Sequence, residues 1–174
     1  NSYIPMLNWE AHPVYFVLLF CAIPMIRDAH FYFVHRLLHY RWFYRAVHQL
    51  HHKNVDIGPW SGMSMHPVEH ILYFSGILLH WVLLSHPLHM IFHVQATGLT
   101  PAMGHVGYHK WEGKGANTRS IGQRYYHYLH HRYFECNYGG DGTVPLDKLF
   151  GTLHDGTPES HEVMRGRRKQ AHGS

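Results

Sequence analysis

Ten histidines in this chain fall into four groups whose spacing suits metal binding. They are His35 and His39 in HRLLH, His48, His51 and His52 in HQLHH, His105 and His109 in HVGYH, and His127, His130 and His131 in HYLHH. On a helix, residues three and four apart share a face, with Cβ atoms about 5–6 Å apart. Imidazoles placed this way converge on one metal or reach toward a neighbouring one. Neutral imidazole is a good ligand for iron, zinc or copper. Ten such side chains suffice for two metals with about five each. A single HxxxH is a weak signal. Two HxxHH boxes, each preceded by an HxxxH pair, are a strong one. The chain has 21 histidines in 174 residues, spread from His12 to His172, so they do not form a terminal purification tag.

The donor set excludes several common metal sites. A structural zinc site takes four ligands, often with cysteine. A mononuclear iron oxygenase takes two histidines and a carboxylate. Soluble di-iron bundles use carboxylates and ExxH pairs. None of these patterns is present here. Glu69, Asp28 and Asp141 are instead expected to accept imidazole N–H bonds and fix the ring tautomers. His66 and His30 are candidates for the same outer layer. His80, His86, His89 and His93 read as packing or interfacial residues, and His12, His154, His161 and His172 as exposed. A two-metal, histidine-rich site beside an apolar hairpin points to oxygen activation next to a lipid. Two irons would share the electrons needed to split dioxygen and attack an unactivated C–H bond. Phe31, Tyr32, Phe33, Trp42 and Phe43 either line the substrate path or simply pack.

The elements that must position these groups read as helices. Residues 13–26 (PVYFVLLFCAIPMI) carry no charge before Arg27. They form either a spanning helix that continues past Arg27 or a buried core helix, with a kink expected at Pro24. Residues 28–53 carry the first two groups, and a loop rich in Gly, Ser and Pro follows. Residues 68–104 form a second apolar region, divided at Ser85-His86-Pro87. It is read as a helical hairpin that enters and leaves a membrane on one side. Arg36, Arg41, Arg45 and Lys53 precede it, Lys110, Lys114, Arg119, Arg124 and Arg132 follow it, and no lysine or arginine lies inside it. That distribution puts both flanks, the metal site and the C-terminus on the cytosolic side. Residues 112–122 read as a polar loop, 123–134 as the helix of the last box, and 158–174 as an exposed basic tail beyond a domain spanning 1–157.

Composition agrees with lipid contact. Aromatic and charged residues each make up 15% of the chain, against about 25% charged in ordinary soluble domains. The net charge of +4 is a weak argument for nucleic acid, and an anionic membrane surface suits the basic residues better. Cys21 and Cys136 form no CxxC pair and indicate no disulfide framework.

The ordered series DAHFYFVHRLLH, HQLHH, MHPVEH, HVGYH, HYLHH and NYG…LDKLFGT resembles the fatty acid hydroxylase/sterol desaturase superfamily over about Asp28 to Thr152. The resemblance implies an all-α fold, in which integral membrane helices or hairpins carry a histidine-rich cytosolic cap with a di-metal site. It implies oxygen-dependent hydroxylation, desaturation or methyl oxidation of a lipid such as a fatty acyl chain or sterol. The implied cofactors are two iron ions, which zinc can replace in purified protein. Electrons would come from NAD(P)H through a separate carrier protein. Carried over residue by residue, the ligands would be His35, His39, His48, His51, His52, His105, His109, His127, His130 and His131. N-terminal transmembrane helices typical of that superfamily are expected to be missing from the 1–157 domain. HVGYH departs from the HSGYD of sterol methyl oxidase-like members, leaning toward the HxxxH of fatty-acid 2-hydroxylase-like ones. Tyr126 stands where several members have a further histidine, so the subfamily and substrate stay open. The alternatives are a non-catalytic histidine-rich metal-binding membrane protein and a truncated, inactive member.

Overall fold

A computed structural model describes residues 6–54, 58–106, 123–140 and 142–172. Every element among them is helical, and no strand is present among the described residues. The architecture is built on α1, Pro13–Leu38. Pro13 sits in its first turn, where a missing N–H costs nothing. The helix runs through Pro24 and Arg27 without a break, so the apolar run and the stretch after Arg27 form one element. At about 1.5 Å per residue its 26 residues span about 39 Å, more than the about 30 Å of a bilayer core. Among the described residues it is the one helix long and apolar enough to cross a membrane. Only 17% of its most apolar window is buried, and Val14, Val17 and Leu18 stand exposed. The described residues therefore leave most of its apolar surface uncovered.

The second apolar region folds back on itself. Helix α4, Pro67–Phe74, passes into a 3-10 segment, Ser75–Trp81, which leads away from the histidine-rich end. Helix α5, Pro87–Gly104, returns beside α1. The division falls at Ser85-His86-Pro87, as the sequence indicates. His-Pro opens both helices: the His66 and His86 Nδ1 atoms accept the N–H groups of Val68 and Leu88, each at 3.2 Å, and the proline follows at the first helical position. Arg27 ties α1 to α5 by donating to the Ala96 carbonyl at 3.2 Å and to the Thr100 hydroxyl. Pro101 has no N–H for the Thr97 carbonyl, and the Tyr73 hydroxyl donates to that carbonyl at 3.1 Å instead. At the far tip, fully buried His80 hydrogen-bonds Ser85 at 2.7 Å and His93 at 3.1 Å, which is the packing role expected of these residues.

The histidine-rich end gathers the remaining elements. Residues 41–52 form one helical stretch in three parts: α2 (Arg41–Phe43), a π-helical turn (Tyr44–His48) and α3 (Gln49–His52). A 3-10 turn, Pro59–Met63, lies against the end of α5. A Cβ on Gly62 would sit 2.3 Å from the Pro101 carbonyl oxygen, so only glycine permits this approach. Helix α6, Gln123–Tyr133, brings the last box, and α7, Leu146–Leu149, follows a turn. Residues read as an exposed basic tail instead form α8, Pro158–His172. Most of its described side chains are exposed, but Met164 is buried and His161 packs 4.8 Å from the Tyr133 ring. His154, also read as exposed, is 1% accessible because its N–H and carbonyl are both bound by the Asn137 side chain.

Candidate metal centre

The structure brings nine of the ten ligand candidates into two adjoining sets. His35 and His39, at the end of α1, join His48, His52 and His130; His51 joins His105, His127 and His131. Within each set the ring nitrogens lie within 4.8 Å of one another. His109 lies outside the described residues. Helix phase explains the division. Positions i and i+4 are about 40° apart around a helix axis, and i+3 lies about 60° to the other side. So His48 and His52 enter the first set while His51 enters the second, and His127 and His131 enter the second while His130 crosses to the first. Each HxxHH box thereby serves both sets. The sets touch through His52 and His131, whose ring centres are 4.7 Å apart.

The inner nitrogens face one another closely. His39 Nε2 lies 3.1 Å from the Nε2 atoms of His48, His52 and His130. His35 and His48 meet at 3.1 Å, and His52 and His130 at 3.2 Å. In the second set the Nε2 atoms of His105, His127 and His131 form a triangle with sides of 3.1, 3.1 and 3.2 Å.

Hydrogen positions follow from the outer nitrogens. Nδ1 of His35 faces the Tyr138 carbonyl at 2.6 Å, that of His130 the Cys136 carbonyl at 2.6 Å, and that of His105 the Pro101 carbonyl at 2.6 Å. His48 Nδ1 faces Glu69 Oε1 at 2.8 Å. A carbonyl only accepts, so His35, His105 and His130 must donate from Nδ1; burial pushes the Glu69 carboxyl up to about 8, and once ionised it asks the same of His48. A neutral ring holds one proton, which leaves each of these Nε2 atoms with a bare lone pair. Burial keeps the rings neutral. Burial first, then neighbouring imidazoles, hold His48 at about 2 and His131 at about 3, and push His51 and His52 far below the ordinary histidine value. Lone pairs converging at 3.1 Å with no proton between them repel, and a cation at the centre removes that repulsion. On the edges of an octahedron this spacing puts nitrogens about 2.2 Å from the centre; on a tetrahedron it gives about 1.9 Å, shorter than the about 2.0–2.1 Å of zinc–imidazole bonds. The residues therefore fit metal ions, and the first set fits one with more than four ligands.

A profile of the fatty acid hydroxylase family matches residues 20–152 of the chain. The chain belongs to the fatty acid hydroxylase/sterol desaturase superfamily. It is 29% identical over 150 residues to a Delta(7)-sterol 5(6)-desaturase of Candida glabrata, covering 84% of this chain and 39% of that one. It is 29% identical over 153 residues to methylsterol monooxygenase 1 of Gallus gallus, covering 83% and 50%. A Delta(7)-sterol 5(6)-desaturase of Saccharomyces cerevisiae is 30% identical over 155 residues, covering 84% and 39%. The chain thus spans between about two-fifths and one half of these relatives' lengths. No solved structure matches it significantly.

Around the imidazoles, this superfamily member uses other groups than its sequence suggests. Glu69 does accept from His48, within a buried pair. Asp28 touches no imidazole: it pairs with Arg27 and accepts from the Thr143 N–H at 2.6 Å and hydroxyl at 2.8 Å. It precedes His35 by two helical turns, about 10 Å along the axis. His30 is turned about 140° from His35 and bonds Ser75 at 3.0 Å instead. His66 is a helix cap. Asp141 lies outside the described residues.

Sequence reasoning missed the turn after α6. Asn137 adopts a left-handed φ of 52° and is fully buried. Asp147 holds this turn by accepting from the N–H groups of Tyr138 at 2.9 Å and Gly139 at 2.7 Å, and from the Thr152 hydroxyl at 2.6 Å. The turn thereby aims the Cys136 and Tyr138 carbonyls at His130 and His35. The NYGG run was the available signal, because asparagine tolerates left-handed backbone.

Proposed function

We propose that this chain is the metal-holding part of an oxygen-dependent oxidoreductase that hydroxylates or desaturates an unactivated C–H bond of a membrane lipid. The observation that carries this reading is the pair of adjoining imidazole sets with inward lone pairs. His35, His39, His48, His52 and His130 would hold one iron; His51, His105, His127 and His131, with His109, would hold the other. Iron, when bound, supplies the redox chemistry with dioxygen that breaking such a bond requires. The protein's own groups hold and shield the site. Tyr138 and Tyr44 pack 5.0 and 5.6 Å from the His39 ring, and Phe134 packs 4.9 Å from His52, limiting water at the first set. Glu69 and the Tyr138, Cys136 and Pro101 carbonyls fix the ring tautomers.

The relatives' names, sterol desaturase and methylsterol monooxygenase, favour a sterol, with a fatty acyl chain as the other candidate. The exposed apolar length of α1 supports a membrane location. In this reading the hairpin tip lies in the bilayer, and the basic flanks favour the cytosol for the metal end and C-terminus. Electrons would reach the site from NAD(P)H through a separate carrier protein.

The test is elemental analysis of protein expressed with added iron and purified in detergent without a metal-affinity step. About two irons per chain are expected, followed by sterol-dependent oxygen consumption with a reductant. A single zinc, or no iron in any preparation, would overturn the di-iron reading.

A further inference from the structure

Just past the metal-side end of α1, residues Tyr40, Arg41, Trp42, Arg45 and Ala46 line an open cavity of about 420 Å³. None of these residues belongs to either imidazole set. Arg41 and Arg45 are four residues apart on one helical stretch, a like-charge spacing that destabilises a helix unless an anion lies between. Neither is ion-paired among the described residues. The sequence offers no nearby partner either: between Asp28 and Asp56 there is no acidic residue, while Arg36, Arg41, Arg45 and Lys53 fall in that interval. Tyr40 and Trp42 are 69% and 64% exposed, although aromatic rings of this size are usually covered. Exposed Tyr and Trp beside arginine at the end of an apolar helix match the headgroup layer of a bilayer, where such rings have one apolar and one wet side.

We propose that this cavity binds the phosphate headgroup of an anionic phospholipid in the leaflet next to the metal centre. The assignment rests on the membrane-bound reading above and adds a lipid that is held and not oxidised. The two guanidiniums would grip the phosphate, and the Tyr40 and Trp42 rings would lie along the glycerol and upper acyl region. Arginine suits this role because its planar fork bonds two phosphate oxygens at once. A phosphate there would also relieve the Arg41–Arg45 repulsion and so steady the helical stretch that carries His48, His51 and His52.

The experiment follows the melting temperature of the full chain in a neutral detergent while short-chain phosphatidylglycerol, short-chain phosphatidylcholine or inorganic phosphate is added. Saturable stabilisation by phosphatidylglycerol is expected, at least about tenfold tighter than by the other two. Arg41→Gln/Arg45→Gln should weaken it about tenfold or more, Arg41→Lys/Arg45→Lys, which keeps the charge but loses the fork, should weaken it less, and Arg165→Gln should leave it unchanged. Equal response to the two phospholipids would overturn the proposal, as would an unaltered response in the double glutamine variant. Inorganic phosphate acting as strongly as phosphatidylglycerol would overturn the lipid assignment. Metal content and flotation on phosphatidylcholine vesicles are read on the same samples. Loss of either, with phosphatidylglycerol binding intact, overturns the metal or membrane reading and leaves the headgroup site standing.

Discussion

The two imidazole sets contain similar ligands but are held differently. The first draws its members from the end of α1, from residues 48–52 and from α6, and three of its rings are fixed by Glu69 or by carbonyls of the turn after α6. The second draws on α3, the end of α5 and α6, and its outer bonds are fewer. His105 is fixed by a carbonyl four residues before it, and His51 faces the Ser64 carbonyl at 3.4 Å, near the limit of a hydrogen bond. Both sets thus join three chain segments, and the first is the more firmly held from outside. Similar coordination chemistry can therefore contribute unequally to the fold.

The most severe break should come at the hub of the first set. His39→Ala removes the nitrogen that lies 3.1 Å from three others, and should abolish turnover and release about one metal per chain. His51→Ala should also abolish turnover but leave the first metal in place; a variant pair that lost both metals equally would erase the distinction. Removing all metal should lower the melting temperature by about 5–10 °C, since a ligand at about 100 times its dissociation constant adds about 2.7 kcal/mol. In hydrogen exchange, the loss of protection should be larger at residues 30–39 and 136–152 than at 101–105. Equal loosening would show the second set to be as structural as the first. A smaller effect is expected from Glu69→Gln, which keeps an acceptor for His48 but cannot ionise. Metal affinity should fall about tenfold at the first set alone, measured by competitive chelation. The least is expected from His66→Ala, which removes a cap from α4: about 1 kcal/mol of stability and no change in metal content. Loss of metal in that variant would move His66 from the cap to the site.

The helical character and the grouping of histidines were legible because both follow from periodicity. HxxHH repeats sit on single turns, and His-Pro pairs mark the starts of α4 and α5. The assignment of each imidazole to a set was implicit in the same 3.6-residue period, since i+3 diverges from i and i+4. What fixes the rings was less legible. Tyr138 and Cys136 act through backbone carbonyls, which leave no trace in side-chain identity. Asp147 acts one step further out, on the turn that aims those carbonyls. Asp28, expected to accept an imidazole N–H, stands two helical turns before His35 and accepts from Thr143 instead, a partner 115 residues away that no local pattern reveals. His154 misled because a polar residue near the C-terminus reads as exposed until the loop that encloses it is known.

The π-helical turn at Tyr44–His48 has a consequence for how the chain can be edited. Such a turn holds one residue more than an α-helix needs over the same rise. It absorbs that residue between Arg41–Phe43, which faces the surface, and the box at 48–52. Ala46 is exposed and chemically bland, so its removal looks harmless in the sequence. Deleting it would let the turn relax to ordinary α-helix and keep His48, His51 and His52 close to their present phase. A deletion in ordinary α-helix, by contrast, turns everything beyond it by about 100°. At this position the spare residue gives the box a tolerance that an unbroken helix would lack.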